Sequence, residues 1–221
     1  MKKWLSMGLG ACLGLGQLAS AQNMGPNGRA MQALLQRHLS EGLHSAEDAS
    51  LLYESPVEGP DSAFFAQNRE RTEQWLRQYE QTYWAYRPRK SVIRRLQKAD
   101  WTSIQLLLVG GNWCPDTQAG IPALMRVLDL AFEQKDCNPE SLWKYLPVDR
   151  NKQALQLPQT PFDFESFSKR PGMPAAERVP TAYLYFQGLE LGSIVEFPTR
   201  SWEEDCLDIV EKAKSLRIFH F

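Results

Sequence analysis

Residues 111–117 read Gly111-Asn112-Trp113-Cys114-Pro115-Asp116-Thr117 (GNWCPDT), directly after the apolar run Ser103 to Val109 and its closing Gly110. The run has the length and composition of a buried strand, and the two glycines end it. Pro115 fits the first position of a helix, where its missing N–H is no loss, and Asp116 fits the first turn, where its charge meets the positive end of the helix dipole. Cys114 therefore falls at the cap between a strand and a helix.

Downstream, Ile121, Leu124, Leu128 and Ala131 continue the helical period to about Lys135, with Pro122 inside, where it is expected to kink the helix. The segment Ser141 to Asn151 (SLWKYLPVDRN) predicts a second strand ending at Val148-Asp149. Residues 153–178 hold Pro158, Pro161, Pro171 and Pro174 with Phe162, Phe164 and Phe167 between them, a loop long enough to suspect of function. Val179 to Pro198 then predicts two strands turning at Gln187-Gly188. Ser201 and Glu204 form a capping box for a last helix carrying Trp202, Cys206, Ile209, Val210 and Ala213 inward. The order is strand, helix, strand, loop, hairpin, helix.

Upstream the signals are helical. Asn27 is placed to cap a helix that carries Met31, Leu34, Leu35 and His38 on one side. Thr72, Trp75, Leu76, Tyr79, Tyr83 and Tyr86 recur near the helical period in a longer helix that Pro88 ends. Such an aromatic stripe is expected to pack on a neighbouring element, with the Arg and Glu between it facing solvent. Ser91 to Ala99 predicts a short helix with Val92, Ile93 and Leu96 inward.

Residues 1–21 place Lys2 and Lys3 before an apolar run that closes in Ala19-Ser20-Ala21, the layout of a secretory signal. The run is shorter than the roughly 20 residues a membrane-spanning helix needs. Leu9-Gly10-Ala11-Cys12 offers a second route, lipidation at Cys12, but the apolar run continues past it and favours cleavage after Ala21. The expected organisation is thus a signal at 1–21, a helical region at 22–99 and an α/β domain at 100–221, exported and most naturally periplasmic. Without residues 1–21 the net charge is about −3, the wrong sign for a nucleic-acid binder, and no transmembrane span remains. Three cysteines remain, Cys114, Cys137 and Cys206, so in an oxidising compartment at least one stays unpaired within the chain.

The turn Trp113-Cys114-Pro115, Pro122 within the following helix, the strand ending Val148-Asp149 and the triplet Val179-Pro180-Thr181 together resemble the thioredoxin-like superfamily over residues 100–221. More closely, NWCPDTQAGIP and RVPTAYLYFQGLELGSIVEFP are similar to exported thioredoxin-family proteins of Bacteroidota type, which often carry Cys-x-Asp-Ser or Cys-x-Asp-Thr and a helical N-terminal segment. The resemblance implies a thioredoxin-like fold, a central mixed sheet flanked by helices. It also implies a cis peptide before Pro180, set against a reactive Cys114, and a Val179 backbone open to an extended substrate strand. Where a thioredoxin has its second cysteine this chain has Thr117, and without a neighbouring resolver a mixed disulfide persists.

A thiol at a helix N-terminus is favoured as the thiolate, Thr117 is placed to donate a hydrogen bond to it, and Asp116 opposes it. Cys114 in this turn is expected to be exposed. Cys137 lies at the far end of the same helix, roughly 30 Å away at the helical rise, too far to resolve Cys114. Cys206 has the period of an ordinary core residue of the last helix.

The expected activity is single-cysteine thiol–disulfide exchange on protein or peptide thiols and disulfides. Cys114 acts as nucleophile, Thr117 supports it, Trp113, Pro115, Val179 and Pro180 bind substrate, Arg178 adds positive charge, and an external thiol is the reductant. The alternative is a non-catalytic module that binds a peptide or protein in the same groove. A peroxidase reading lacks its threonine three positions before the cysteine. His38, His44 and His220 show no metal-ligand spacing, and no phosphate loop is present, so no metal or cofactor is implied.

Overall fold

A computed structural model of the chain describes residues 24–39, 60–101, 103–133, 138–148, 150 and 178–218, apart from the side chains of 60–68, 140 and 215–218. The signal at 1–21, Cys137, Asp149, the loop up to residue 177, His44 and His220 lie outside the described residues. The elements in chain order are α1 (Pro26–Arg37), α2 (Pro60–Ala85), α3 (Lys90–Lys98), β1 (Ile104–Gly110), α4 (Pro115–Ala131), α5 (Pro139–Leu142), β2 (Trp143–Pro147), β3 (Thr181–Phe186), β4 (Leu189–Val195) and α6 (Trp202–Ile218). Two bounds differ from expectation. α4 stops at Ala131, because Phe132 leaves helical geometry and packs on Trp101 with ring centroids 5.0 Å apart. β2 begins only at Trp143, because Asn138 starts a short helical turn, its carbonyl accepting from the Ser141 hydroxyl at 2.9 Å.

The strands form a four-stranded mixed sheet in the order β2-β1-β3-β4. β1 and β2 run parallel, with Leu106 opposite Trp143 and Gly110 opposite Pro147. β3 is antiparallel to β1, with Leu106 opposite Leu184, and β4 is antiparallel to β3. The two-residue period of β1 divides its side chains between faces. Leu106 and Leu108 enter a large cluster with the helices, whereas Leu107 and Val109 join Cys114, Val148, Val179, Tyr183 and Tyr185. At the hairpin, Gln187 (φ 51°) and Gly188 (φ 85°) both take left-handed geometry, which matches the twist of the two strands. The expected capping at α6 is present in half: the Ser201 hydroxyl accepts from the Glu204 N–H at 3.3 Å and donates to the Glu204 carboxylate at 2.9 Å.

The aromatic stripe is a packing face. Trp75, Tyr79 and Tyr83 of α2 are fully buried, in one cluster with Met31 and Leu35 of α1 and the apolar side of α4. Val92, Ile93 and Leu96 point inward from α3 as expected.

The ends of these helices are finished from far away in the sequence. Asn27 does not cap α1, because the cap position is Gly25 and Asn27 sits within the first turn. The cap comes from Asp129 of α4: Oδ1 accepts from the Asn27 N–H at 2.7 Å and from Asn27 Nδ2 at 3.1 Å, while Oδ2 accepts from the Gly28 N–H and the Tyr83 hydroxyl, each at 2.9 Å. Asn27 Oδ1 in turn accepts from Trp143 Nε1 at 2.9 Å. At α3 the buried Glu203 of α6 accepts from the Arg89 N–H at 2.9 Å and the Tyr86 hydroxyl at 2.6 Å. Burial alone pushes the Glu203 carboxyl up, but these donors outweigh it and hold it below the usual range. Among the described residues no helix is long and apolar enough to cross a membrane.

Candidate functional site

The turn from β1 to α4 is shaped by its own aromatic. The Trp113 ring folds back over Gly111 so closely that a Cβ there would stand 2.5 Å from Cε2. Its indole N–H donates to the Val148 carbonyl at 3.0 Å, and the Arg150 guanidinium stands 5.7 Å from the ring centroid. Gly111→Ala is therefore expected to displace Trp113 and to cost about 1–3 kcal/mol of stability through overpacking, read from urea unfolding. An unchanged midpoint would show that the turn yields without cost.

Cys114 caps α4 through its backbone. Its N–H donates to the Gly111 carbonyl at 2.8 Å and its carbonyl accepts from the Gln118 N–H at 3.0 Å. Its thiol donates to the Val179 carbonyl at 3.5 Å, and the Val179-Pro180 peptide is cis. Pro180 is buried, and the inner side of Gly120 faces it and Trp202. The nucleophile candidate and the Val-Pro pair, 65 residues apart in sequence, thus meet at one point.

The surroundings differ from expectation in three ways. Cys114 is 7% exposed, not open to solvent, because Val109, Val148 and Val179 close around it. Thr117 is fully buried and its hydroxyl has no hydrogen-bond partner, so it does not support the sulfur; its methyl is turned to Gly110. Arg178 is exposed and its guanidinium pairs with Glu196 at 3.0 Å, which occupies the charge expected near the thiol. Pro115 is exposed and Trp113 half-buried, so these two form the accessible rim.

Cys206 is fully buried, and its thiol is pushed up to about 12 by that burial, with Asp205 and Glu203 adding to it. A thiol held neutral and enclosed in this way is not a resolver for Cys114. Both cysteines are free.

Sequence reasoning missed the group behind the turn. Asn112 is 1% exposed, yet its amide is paired: Nδ2 donates to the Thr72 hydroxyl at 3.0 Å, and Oδ1 accepts from the Tyr145 hydroxyl at 2.7 Å. His38 Nδ1 stands 3.5 Å from Nδ2, and the His38 ring stacks on Tyr145. Gln118 Nε2 donates to the Asn112 carbonyl at 2.7 Å. Burial, with Cys114 adding to it, pushes the Tyr145 phenol well up, so it acts as a neutral donor. The one signal in the sequence was an amide side chain in a turn otherwise made of glycine, Trp and Cys; its partners lie 33, 40 and 74 residues away.

No protein-family model, curated protein or solved structure matches the chain.

Proposed function

We propose that the chain is an exported thioredoxin-like protein that carries out thiol–disulfide exchange through the single thiol of Cys114. The observation that carries this reading is the Cys114 sulfur at the N-cap of α4, 3.5 Å from the carbonyl that precedes the cis Pro180. The order of strand, helix, strand, hairpin and helix, with the cysteine at the first strand-to-helix turn, supports it as well.

In the reaction, the Cys114 thiol loses its proton to solvent and attacks one sulfur of a substrate disulfide. A new S–S bond joins Cys114 to that sulfur as the old one breaks, and the departing sulfur leaves as a thiolate and takes up a proton. Thr117 has no thiol and Cys206 is enclosed, so release requires an external thiol, small or protein-borne. Its thiolate attacks the substrate sulfur of the mixed disulfide, a new S–S bond joins external thiol and substrate as the bond to Cys114 breaks, and Cys114 leaves as a thiolate and takes up a proton. Oxidation state is exchanged between partners and the chain ends unchanged.

The burial of Cys114 and the silent Thr117 hydroxyl favour a second reading, a module that holds a peptide beside Val179 without chemistry. One experiment separates the two. The full chain is expressed in an exporting bacterium, exported proteins are acid-quenched, and disulfide-linked adducts are resolved with and without reductant. Reductant-sensitive adducts that vanish in Cys114→Ser are the expected result. Adduct-free chain, with partners captured equally by the parent and Cys114→Ser, selects the binding module.

A further inference from the structure

We propose that Asn112 is a positioning residue for the Cys114 thiol and that the helices before residue 100 form the back wall of the reactive turn, holding Asn112 through Thr72 and His38. This rests on reading Cys114 as the nucleophile.

Four residues, Gly111 to Cys114, join β1 to α4, and a buried amide within so short a turn is costly unless fully paired. The side chain and carbonyl of Asn112 are paired by residues of four separate parts of the fold. Thr72 belongs to α2, His38 follows α1, Tyr145 belongs to β2 and Gln118 to α4. Gln118 Nε2 also reaches the Arg71 carbonyl of α2 at 3.4 Å. Because Nδ2 is a donor, His38 Nδ1 is the acceptor, which puts the ring proton on Nε2. Two residues along the chain, the Cys114 N–H is bonded to Gly111 and its thiol to Val179. Releasing Asn112 therefore loosens the turn that carries the sulfur to the Val179 carbonyl. The α1 and α2 helices then do more than cover a hydrophobic face: they set how often the thiol is presented.

The test uses two variants of the full chain. Thr72→Val keeps the shape and removes the acceptor, whereas Thr72→Ser keeps the hydroxyl. Iodoacetamide labelling of each cysteine is followed by mass spectrometry, and amide hydrogen exchange is measured over residues 111–118. Cys206, enclosed in the core, reports global opening. The expected result is Cys114 labelling at least about fivefold faster in Thr72→Val, with faster exchange confined to 111–118, Cys206 labelling unchanged, and Thr72→Ser within twofold of the parent. Cys114 labelling at the parental rate in Thr72→Val, or Cys114 and Cys206 rising together, overturns the proposal. Disulfide capture is not part of this readout, so a chain that traps no substrate sinks the proposed activity and leaves the positioning of the thiol intact.

Discussion

Asp129→Ala is expected to lower the unfolding free energy by about 4 kcal/mol, because it strands several buried donors at once. The carboxylate accepts four hydrogen bonds, two of them from the N–H groups of the first turn of α1, and its residue is 6% exposed. Water has no ready access to replace it. Asp129→Asn keeps the volume and one acceptor oxygen but turns an amide N–H₂ toward donors, and it should lose about 2–3 kcal/mol. Tyr83→Phe removes one of the four bonds to the carboxylate, together with the acceptor of the Gly25 N–H at 3.2 Å and of the Arg126 guanidinium at 3.3 Å, and should lose about 1–2 kcal/mol. Urea unfolding of the four proteins checks the series. A loss below about 1.5 kcal/mol for Asp129→Ala, on the same scale, would mean that α1 holds its place by apolar packing and that the carboxylate is incidental.

Acidification should destabilise the fold through His38. Burial, with Arg37 adding to it, lowers this imidazole from 6.5 to about 4. Above pH 6.5 neither the folded nor the unfolded chain holds the extra proton, and the stabilisation is fully present. Between pH 6.5 and pH 4 the unfolded chain takes up a proton that the folded chain refuses, so stability falls as pH falls. The loss reaches about 3 kcal/mol near pH 4 and then levels off. In the folded state that proton would sit on Nδ1 against the Asn112 amide, which already presents a donor. His38→Gln removes the titrating group, and urea unfolding at pH 7, 5.5 and 4.5 should show a correspondingly shallower pH dependence. Parallel curves for the parent and His38→Gln would contradict the assignment.

The parts of the fold that were legible in the sequence are those written locally. The apolar run closed by Gly110 and Gly111, the Pro115-Asp116 start, the Gln187-Gly188 turn and the Ser201 cap each act over a few residues, and each is found where it was read. The inward faces of α2 and α3 were legible because the helical period is itself a local property. What was not legible depends on partners that the sequence places far apart. Cys114 looked open because its own turn is short, but Val148, just past β2, and Val179, just before β3, come in to cover it. Thr117 has the right spacing to reach the sulfur, yet the packing of Gly110 draws its methyl to the strand side. Asn27 carries the right chemistry for a cap, two residues too late, while the true cap is an aspartate in an apolar stretch of α4 that reads as an ordinary polar interruption.

The helices before residue 100 have a history as well as a structure. Neither α1 nor α3 has a side chain of its own that caps its start; Asp129, which takes the Asn27 N–H in the first turn of α1, and Glu203, which takes the N–H of Arg89 at the cap position of α3, come 102 and 114 residues later. A chain that emerges from the ribosome or enters a new compartment N-terminus first therefore presents both helices unfinished, and short helices without packing are marginal in water. They close only when residues 129 and 203 have arrived, so the segment made first is among the last to be completed.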